Sequence, residues 1–301
     1  EKMIYKNLFN NEGPVFMGSK KNFNNCSIGI FGVNYDGTTS FKPGTRFGPT
    51  AIRNVSESLE TYCPFLNKDL NLINYFDAGS LKLNSSNTHS IIKKVKSGTN
   101  FLINNNLKPI ILGGEHSITI GAIEALVEKY PDLIMIQLDA HADLRNSYQD
   151  NKYSHACTIR RCLELLPSKK VIQIGIRSGT QEEFALMKNN NQLIKFNTGD
   201  SILKIQKLLE PFKNHPIYLT VDLDWFDPSL LPGTGTPEPG GFFWHDFENI
   251  IGLLNTFKII GCDIVELSPD IDSSGISSIV AAKTTRSLIM TLDKNTLKEL
   301  F

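Results

Sequence analysis

The stretch Leu133-Ile-Met-Ile-Gln-Leu-Asp-Ala-His-Ala-Asp143 joins an apolar run to three potential metal ligands. The run ends at Leu138, and Asp139, His141 and Asp143 follow it on alternate positions. Residues two apart in an extended strand point to the same face, so Asp139 and His141 should form a convergent pair. The stretch therefore predicts a buried strand with ligands at its carboxyl end.

Two other apolar runs end in the same way. Ile217–Val221 leads into Asp222 and Asp224, and the run 109–112 leads through two glycines to His116. A lone histidine is more often a satisfied core residue, and a lone Asp-x-Asp is commonly a turn. Three strand ends that all carry acidic or imidazole groups favour one shared site.

Eight apolar, β-rich runs alternate with amphipathic stretches. They lie near residues 27–32, 72–77, 109–112, 133–138, 170–174, 193–196, 217–221 and 259–265. The runs are continuous rather than alternating in polarity, which is typical of a parallel sheet covered by helices on both faces. The fold class is therefore α/β, although periodicity leaves open a closed (β/α)8 barrel or an open doubly wound sheet.

Composition narrows the function. The 301 residues carry 31 Lys plus Arg and 31 Asp plus Glu, so no global field favours nucleic acid or an anionic membrane, and small substrates are favoured. We find no apolar segment of signal-peptide or membrane-span length, and we expect a cytoplasmic protein. No linker divides the chain, so we expect one domain over 1–301, with 1–25 as an N-terminal extension packed on or near it.

Cysteine chemistry is a weaker alternative. The five cysteines form no CxxC pair, so a disulfide framework is disfavoured. Cys157 stands two residues after His155, which raises the possibility of a nucleophilic thiol. Metal ligands already supply a nucleophile, so we disfavour that reading.

One tract, Asp227–Gly241, is rich in proline and glycine and begins three residues after Asp224. Proline restricts its backbone, which favours a rigid active-site loop over a spacer. Its glycines match neither GxGxxG nor a Walker loop, so nucleotide binding is disfavoured.

The candidate ligands contain four carboxylates, two imidazoles and no cysteine. They are His116, Asp139, His141, Asp143, Asp222 and Asp224. Oxygen-dominated ligands suit Mn²⁺ better than a structural Zn²⁺ site. Four clustered aspartates repel one another, and two divalent cations cancel their charge, so the sequence predicts a binuclear centre that activates water.

Glu266 lies at the end of another apolar run, Ile264-Val265. A buried carboxylate at this position needs a cationic partner, because an unpaired buried charge is costly. The partner is either a structural arginine or a cationic substrate, and a guanidinium fits a carboxylate in a bidentate way.

Together these motifs resemble the ureohydrolase (arginase/agmatinase) family in order and spacing. The motifs are Gly113-Gly-Glu-His-Ser117, Asp139-Ala-His-Ala-Asp-Leu-Arg145, Ser154-His-Ala-Cys-Thr-Ile-Arg-Arg161, Asp222-Leu-Asp-Trp-Phe-Asp-Pro228, Gly233-Thr-Gly-Thr-Pro-Glu-Pro-Gly-Gly241 and Glu266-Leu-Ser-Pro269. The resemblance implies a single-domain, three-layer α/β/α sandwich with a mostly parallel eight-stranded sheet rather than a barrel. It also implies a homo-oligomer, a trimer or a hexamer.

The resemblance further implies a role for each site residue. His116 and Asp143 would be terminal ligands of one Mn²⁺, His141 and Asp224 those of the second, with Asp139 and Asp222 bridging. Glu266 would fix the substrate guanidinium, and His155 would shuttle protons to the departing amine. Asp143 would be a catalytic residue as well as a metal ligand. The products would be urea and an amine.

Within the family, the block around His155 and the Gly233–Gly241 loop look like agmatinase. Arginases place an Asn donor for the amino-acid carboxylate where this chain has Arg145. We therefore expect hydrolysis of agmatine to putrescine and urea, in polyamine synthesis. Alternatives are a guanidino acid or arginine as substrate, a two-metal phosphoesterase, and a catalytically silent metal-binding protein of the same fold. Glu115, Asp270 and Ser277 depart from the family pattern, and none of them removes a ligand.

Overall fold

The computed structural model describes residues 2–190, 193–194 and 201–294. The strands are β1 (Phe9–Asn10), β2 (Ile28–Gly32), β3 (Tyr62–Cys63), β4 (Lys68–Asp69), β5 (Tyr75–Leu81), β6 (Lys108–Leu112), β7 (Ile134–Leu138), β8 (Val171–Ile174), β9 (Leu193–Ile194), β10 (Ile217–Asp222) and β11 (Ile259–Val265). The helices are α1 (Lys2–Leu8), α2 (Gly48–Ser56), α3 (Thr88–Asn104), α4 (Thr119–Lys129), α5 (Thr158–Cys162), α6 (Gln181–Asn190), α7 (Ser201–Leu209), α8 (Trp244–Leu254) and α9 (Ile276–Leu292).

Nine strands form one sheet in the order β1-β5-β2-β6-β11-β10-β7-β8-β9, and β3 pairs with β4 separately. Within the nine-stranded sheet the pairings are parallel except that β1 runs antiparallel to β5, and the separate β3–β4 pair is antiparallel. All eight predicted runs contribute a parallel strand, although residues 195–196 of the sixth run lie outside the described residues. The predicted count of eight omitted β1, a two-residue edge strand from the N-terminal segment.

Helices cover both faces of the sheet, because each central strand is apolar on both sides. In β6, Ile110 and Leu112 belong to a core cluster with residues of α2, α7, α8 and α9. Ile111, between them, belongs to a second cluster with residues of α3, α4, α5 and α6. The open sheet between two helical layers confirms the three-layer sandwich. None of the helices among the described residues has the length and apolar content needed to span a bilayer.

The Pro/Gly-rich tract is held to the body of the protein. The Gly233 N–H donates to Ser277 Oγ at 2.8 Å, and the Ser277 hydroxyl donates to Asp272 Oδ2 at 2.6 Å. Asp272 also accepts the backbone N–H of Ser277 in the first turn of α9 at 2.8 Å. One carboxylate therefore accepts a backbone N–H from the first turn of α9 and fixes the start of the loop, as expected for a rigid loop rather than a spacer.

We predict that Asp272→Ala lowers the free energy of unfolding by about 1–2 kcal/mol at pH 7, because the first turn of α9 and the Ser277 hydroxyl lose their acceptor. Burial opposes ionisation of Asp272, but bonds from Ser274 and Ser277 lower its pKa from 3.8 to about 2. Its stabilising contribution is therefore present above its ordinary pKa and is lost as the pH falls through about 2. Urea denaturation of the variant measures the change. The exposed Asp270→Ala is the control, and equal losses in both variants would contradict the prediction.

Candidate metal centre

The site lies where four adjacent central strands, β6, β11, β10 and β7, reach their carboxyl ends. A cavity of about 230 Å³ opens at this edge. Seven of the predicted site residues line it: His116, His141, Asp143, His155, Asp222, Asp224 and Glu266. The eighth, Asp139, is fully buried. Parallel strands bring these side chains together because their carboxyl ends share one edge.

Close backbone packing places two of the strand ends. A Cβ on Gly114 would lie 1.8 Å from the Tyr35 carbonyl oxygen, so only glycine fits there. The Glu266 N–H donates to Gly114 O at 2.9 Å, which ties the end of β11 to the loop after β6. Glu266 itself has a φ of 67°, a left-handed conformation that costs energy in a residue other than glycine. The contacts around it hold this conformation and direct its carboxylate to the cavity.

Two groups of potential ligands share Asp139. His116, Asp139 and Asp222 form the first, and Asp139, His141 and Asp224 form the second; within each, the ligand atoms lie within 4.8 Å of one another. Asp143 joins the first group, since its Oδ2 is 3.0 Å from His116 Nδ1. The structure therefore brings together all six residues named as ligands from the sequence.

The pairs converge by a different geometry from the one predicted. β7 ends at Leu138, so His141 lies beyond it, and Asp224 lies in a 3₁₀ turn after β10. Asp222 accepts the backbone N–H of Asp224 at 2.9 Å, and Asp139 accepts that of His141. Tight turns, rather than the pleat of a strand, aim these side chains at one point, so the strand-pleat explanation was wrong.

The donor atoms of His116 fit a metal ion. Its Nδ1 is buried and forms no hydrogen bond with the residues that the structure describes, although carboxylate oxygens of Asp139 and Asp222 lie 3.1 and 3.4 Å away. Oxygens packed around a nitrogen in this way are expected of ligands that surround a shared cation.

The opposite nitrogen of the ring fixes the tautomer. His116 Nε2 is 2.9 Å from Thr220 Oγ1, and the Thr220 hydroxyl donates to Asp263 at 2.5 Å. Since that proton is committed, Thr220 accepts from Nε2–H, and the Nδ1 lone pair is left for a metal. Thr119 and Tyr218 also donate to Asp263, each at 2.8 Å, so this buried carboxylate is anchored by three hydroxyls.

Electrostatics also favour a cation. Burial, with Asp224 and Asp143, raises the pKa of Asp139 from 3.8 to about 7. Burial, with Asp224 and Asp139, raises the pKa of Asp222 as well. Burial opposes charge on His141, but Asp224 outweighs it and raises the pKa of His141 to about 11. A histidine proton thus partly neutralises carboxylates that divalent ions would neutralise more fully.

Glu266 is 7% exposed, and its Oε1 accepts the backbone N–H of His116 at 2.7 Å. No Lys or Arg among the described residues forms an ion pair with it. Burial, then the nearby Glu115, raises its pKa well above the ordinary value. Of the two partners considered from the sequence, a structural arginine paired with Glu266 is not found among the described residues.

The outer wall of the cavity holds Arg145 and His155. The Arg145 guanidinium lies over Tyr148, 4.7 Å from the ring centroid, and its Nε is 3.8 Å from a carboxylate oxygen of Glu183. His155 is partly exposed, with its Nε2 3.5 Å from Ser40 Oγ. The structure therefore places His155 at the cavity, as predicted.

The thiol alternative finds no support. Cys157 is fully buried and does not line the cavity. Burial, with Asp143, raises the pKa of its thiol to about 11, so it stays protonated at neutral pH.

Several polar residues that support the site were not predicted. Gln137 donates to Asp139 at 2.6 Å, Thr220 and Asp263 hold His116, and Thr38 bonds both Glu115 and His155. A signal existed for some of them, because a polar residue within an apolar strand is costly unless it has partners. The contacts of Thr38 left no such signal.

Comparison with known proteins agrees with the geometry. The Arginase family model matches residues 26–291. The agmatinase of Bacillus anthracis is 36% identical over 281 residues, covering 92% of this chain and 96% of the relative. The N(1)-aminopropylagmatine ureohydrolase of Thermococcus kodakarensis is 40% identical over 242 residues, covering 79% and 82%. The solved agmatine ureohydrolase of Thermoplasma volcanium has a TM-score of 0.84 and 32% identity, covering 95% of this chain and 96% of that one. These matches confirm the resemblance read from the sequence motifs.

We predict that Thr220→Val weakens Mn²⁺ binding by roughly 10- to 100-fold, because His116 loses the acceptor that fixes its tautomer. Calorimetric titration with Mn²⁺ measures the affinity. Thr99→Val is a matched control, since the Thr99 hydroxyl is buried and has no hydrogen-bond partner in the described part of the chain. Equal Mn²⁺ affinity in Thr220→Val and wild type would contradict the tautomer argument.

Proposed function

The chain belongs to the arginase family, and on this premise we propose that it hydrolyses the guanidino group of agmatine to give urea and putrescine. It is a metal-dependent amidinohydrolase, a class shared with its agmatinase relatives. The observation that carries the proposal is the buried Glu266 carboxylate, which faces the cavity beside the ligand cluster and pairs with no Lys or Arg of residues 2–190, 193–194 and 201–294.

We propose Mn²⁺ as the metal, with two ions per chain. His116 and Asp143 would hold one ion, His141 and Asp224 the other, and Asp139 and Asp222 both. Support comes from the shared Asp139 and from a donor set dominated by oxygen. When bound, the ions neutralise the carboxylates and supply an activated water as the nucleophile.

The chain's own groups would then bind and orient the substrate. Glu266 accepts hydrogen bonds from the guanidinium and holds its plane in the cavity. His155, on the outer wall, passes a proton to the nitrogen of the departing amine. Without that proton the nitrogen would have to leave as an amide anion, which is a poor leaving group. Cleavage adds one water and breaks one C–N bond, and the products are urea and putrescine.

Agmatine is favoured over a guanidino acid by the surroundings of Arg145. That guanidinium already lies over Tyr148 and near Glu183, so its charge is partly balanced and it is not a free carboxylate receptor. Longer cationic tails, such as that of the Thermococcus kodakarensis relative's substrate, belong to the same class.

Two other functions have less support. A phosphoesterase needs cations around an anionic substrate, but Arg145 is the single Lys or Arg among the described residues that line the cavity, and Glu266 opposes an anion. A silent metal-binding protein of this fold would be expected to lack a ligand, and all six are present.

The same proposal includes the organisation of the chain. We propose one domain over 1–301, because the family model covers 26–291 and the segment before it supplies β1 of the same sheet. We also propose a cytoplasmic homo-oligomer, and light scattering tests the assembly.

We predict that the protein with Mn²⁺ releases urea from agmatine with a higher kcat/KM than from arginine or 4-guanidinobutyrate. A buried carboxylate suits the guanidinium, and the described residues that line the cavity include no Lys or Arg other than Arg145, which already lies near Glu183. Urea and phosphate release over a substrate panel, before and after chelation, measures this. Equal or better efficiency with arginine would reject the substrate, and phosphate release alone would reject the reaction class.

We predict that Glu266→Gln lowers kcat/KM by roughly 10- to 150-fold, or about 1.5–3 kcal/mol of charge-assisted hydrogen bonding. The melting temperature should hold or rise, because the variant removes a buried carboxyl group whose ionisation is costly and which pairs with no Lys or Arg in the described part of the chain. Steady-state kinetics and thermal unfolding test both statements. Unfolding of the variant would instead make Glu266 a structural residue.

A further inference from the structure

Thr38 connects the loop after β2 to His155. Its hydroxyl donates to Glu115 Oε1 at 2.6 Å, and its backbone N–H donates to Glu115 Oε2 at 2.6 Å. The same hydroxyl oxygen accepts the backbone N–H of His155 at 3.0 Å and lies 3.2 Å from His155 Nδ1. Glu115 is fully buried and also accepts the hydroxyl of Ser117.

Counting protons fixes the direction of these bonds. A hydroxyl has one donor and two acceptor sites. The hydroxyl proton of Thr38 is donated to Glu115, so the two acceptor sites of the hydroxyl oxygen are left for the backbone N–H and the ring Nδ1 of His155. Nδ1 must then carry a proton, so the lone pair of the neutral ring is on Nε2. Nε2 is the nitrogen beside Ser40, which lines the cavity together with His155.

A competing arrangement exists within the same site. Ser154 Oγ lies 3.4 Å from His155 Nδ1, so a donated bond from Ser154 would place the ring proton on Nε2 instead. That contact is longer than the one to Thr38, and the backbone N–H of His155 already directs Thr38 Oγ1 towards the ring.

We propose that Thr38 and Glu115 are positioning residues that hold the proton of His155 on Nδ1 and present Nε2 to the cavity. The inference rests on the proposed function, in which His155 supplies a proton to the leaving amine. With Nδ1–H bound to Thr38, proton uptake and release take place at Nε2. One proton passes from solvent to Nε2 and from Nε2 to the amine nitrogen as the C–N bond breaks, and His155 returns to its starting state.

Glu115→Gln is the sharpest test, because the structure predicts that it reverses the tautomer. The Thr38 backbone N–H can only donate, so the amide oxygen of the new glutamine must face it. The amide NH₂ then faces the hydroxyls of Thr38 and Ser117 and donates to them. The Thr38 hydroxyl proton is released to His155 Nδ1, which must become the acceptor.

Histidine ¹⁵N spectra distinguish the two tautomers without any turnover. The protein is loaded with diamagnetic Zn²⁺ in place of Mn²⁺, and the His155 signal is assigned with His155→Gln. We expect an Nδ1–H ring in wild type and an Nε2–H ring in Glu115→Gln. The same tautomer in both proteins, or Nε2–H in wild type, overturns the proposal. Metal content is measured in both, since Glu115 adjoins His116.

Kinetics with agmatine and Mn²⁺ test the consequence. Thr38→Val should lower kcat by roughly 10- to 100-fold with KM nearly unchanged, because the proton donor loses its orientation. Thr38→Ser keeps the hydroxyl and should recover most of kcat. Thr45→Val, which removes a buried hydroxyl without a partner from the same part of the chain, should behave as wild type. An unchanged kcat in Thr38→Val overturns the positioning role. If the wild-type protein forms no urea but Glu115→Gln reverses the tautomer, the proposed function fails while the positioning of His155 by Thr38 and Glu115 stands.

Discussion

Mutual repulsion among four aspartates buried at one edge of the sheet is the constraint on which the rest of the site depends. The backbone places Asp139 and its neighbouring aspartates close together and away from solvent, so water does not screen their charges. Burial and mutual repulsion raise the pKa of Asp139 and Asp222, and at His141 the attraction of Asp224 outweighs burial and raises the pKa. Divalent cations relieve the same repulsion, and metal binding therefore stabilises the folded site as well as equipping it for chemistry.

Around this charged centre the protein uses mostly neutral donors. Gln137 and Thr220 each contact a ligand and are themselves held, Gln137 by Gln173 at 2.7 Å and Thr220 by Asp263. Neutral groups orient carboxylates and imidazoles without adding charge to a region that already has too much. Glu266 also faces the cavity and forms no ion pair with a Lys or Arg among the described residues, and in the proposed function it binds the substrate guanidinium.

The strand ends could be predicted from the sequence because each signal is local. Asp139 and His141 follow an apolar run directly, and parallel strands must meet at one edge, so their convergence needed no long-range information. The turn that aims Asp224, the antiparallel strand β1 and the Thr38 contacts could not be predicted. Thr38 and His155 are far apart in sequence, and a threonine in a loop has no periodicity to reveal its partner. The role of His155 came from family resemblance, whereas the need of Glu266 for a cationic partner followed from its place at the end of an apolar run, and the structure adds the hydrogen bonds of both residues.

The ligands lie at strand ends and the outer wall of the cavity lies on loops, and this separation affects how substrate selectivity can evolve. The ligands and their supporting hydroxyls belong to the central strands and the turns that follow them, whereas Arg145, Tyr148 and Ser40 lie on loops at the outer wall. Mutations in those loops can reshape the part of the cavity that receives the substrate's tail and leave the hydrolytic centre intact. Such a layout allows one reaction to be transferred between guanidino compounds by small evolutionary steps, and it marks the same loops as the place to begin a redesign of selectivity.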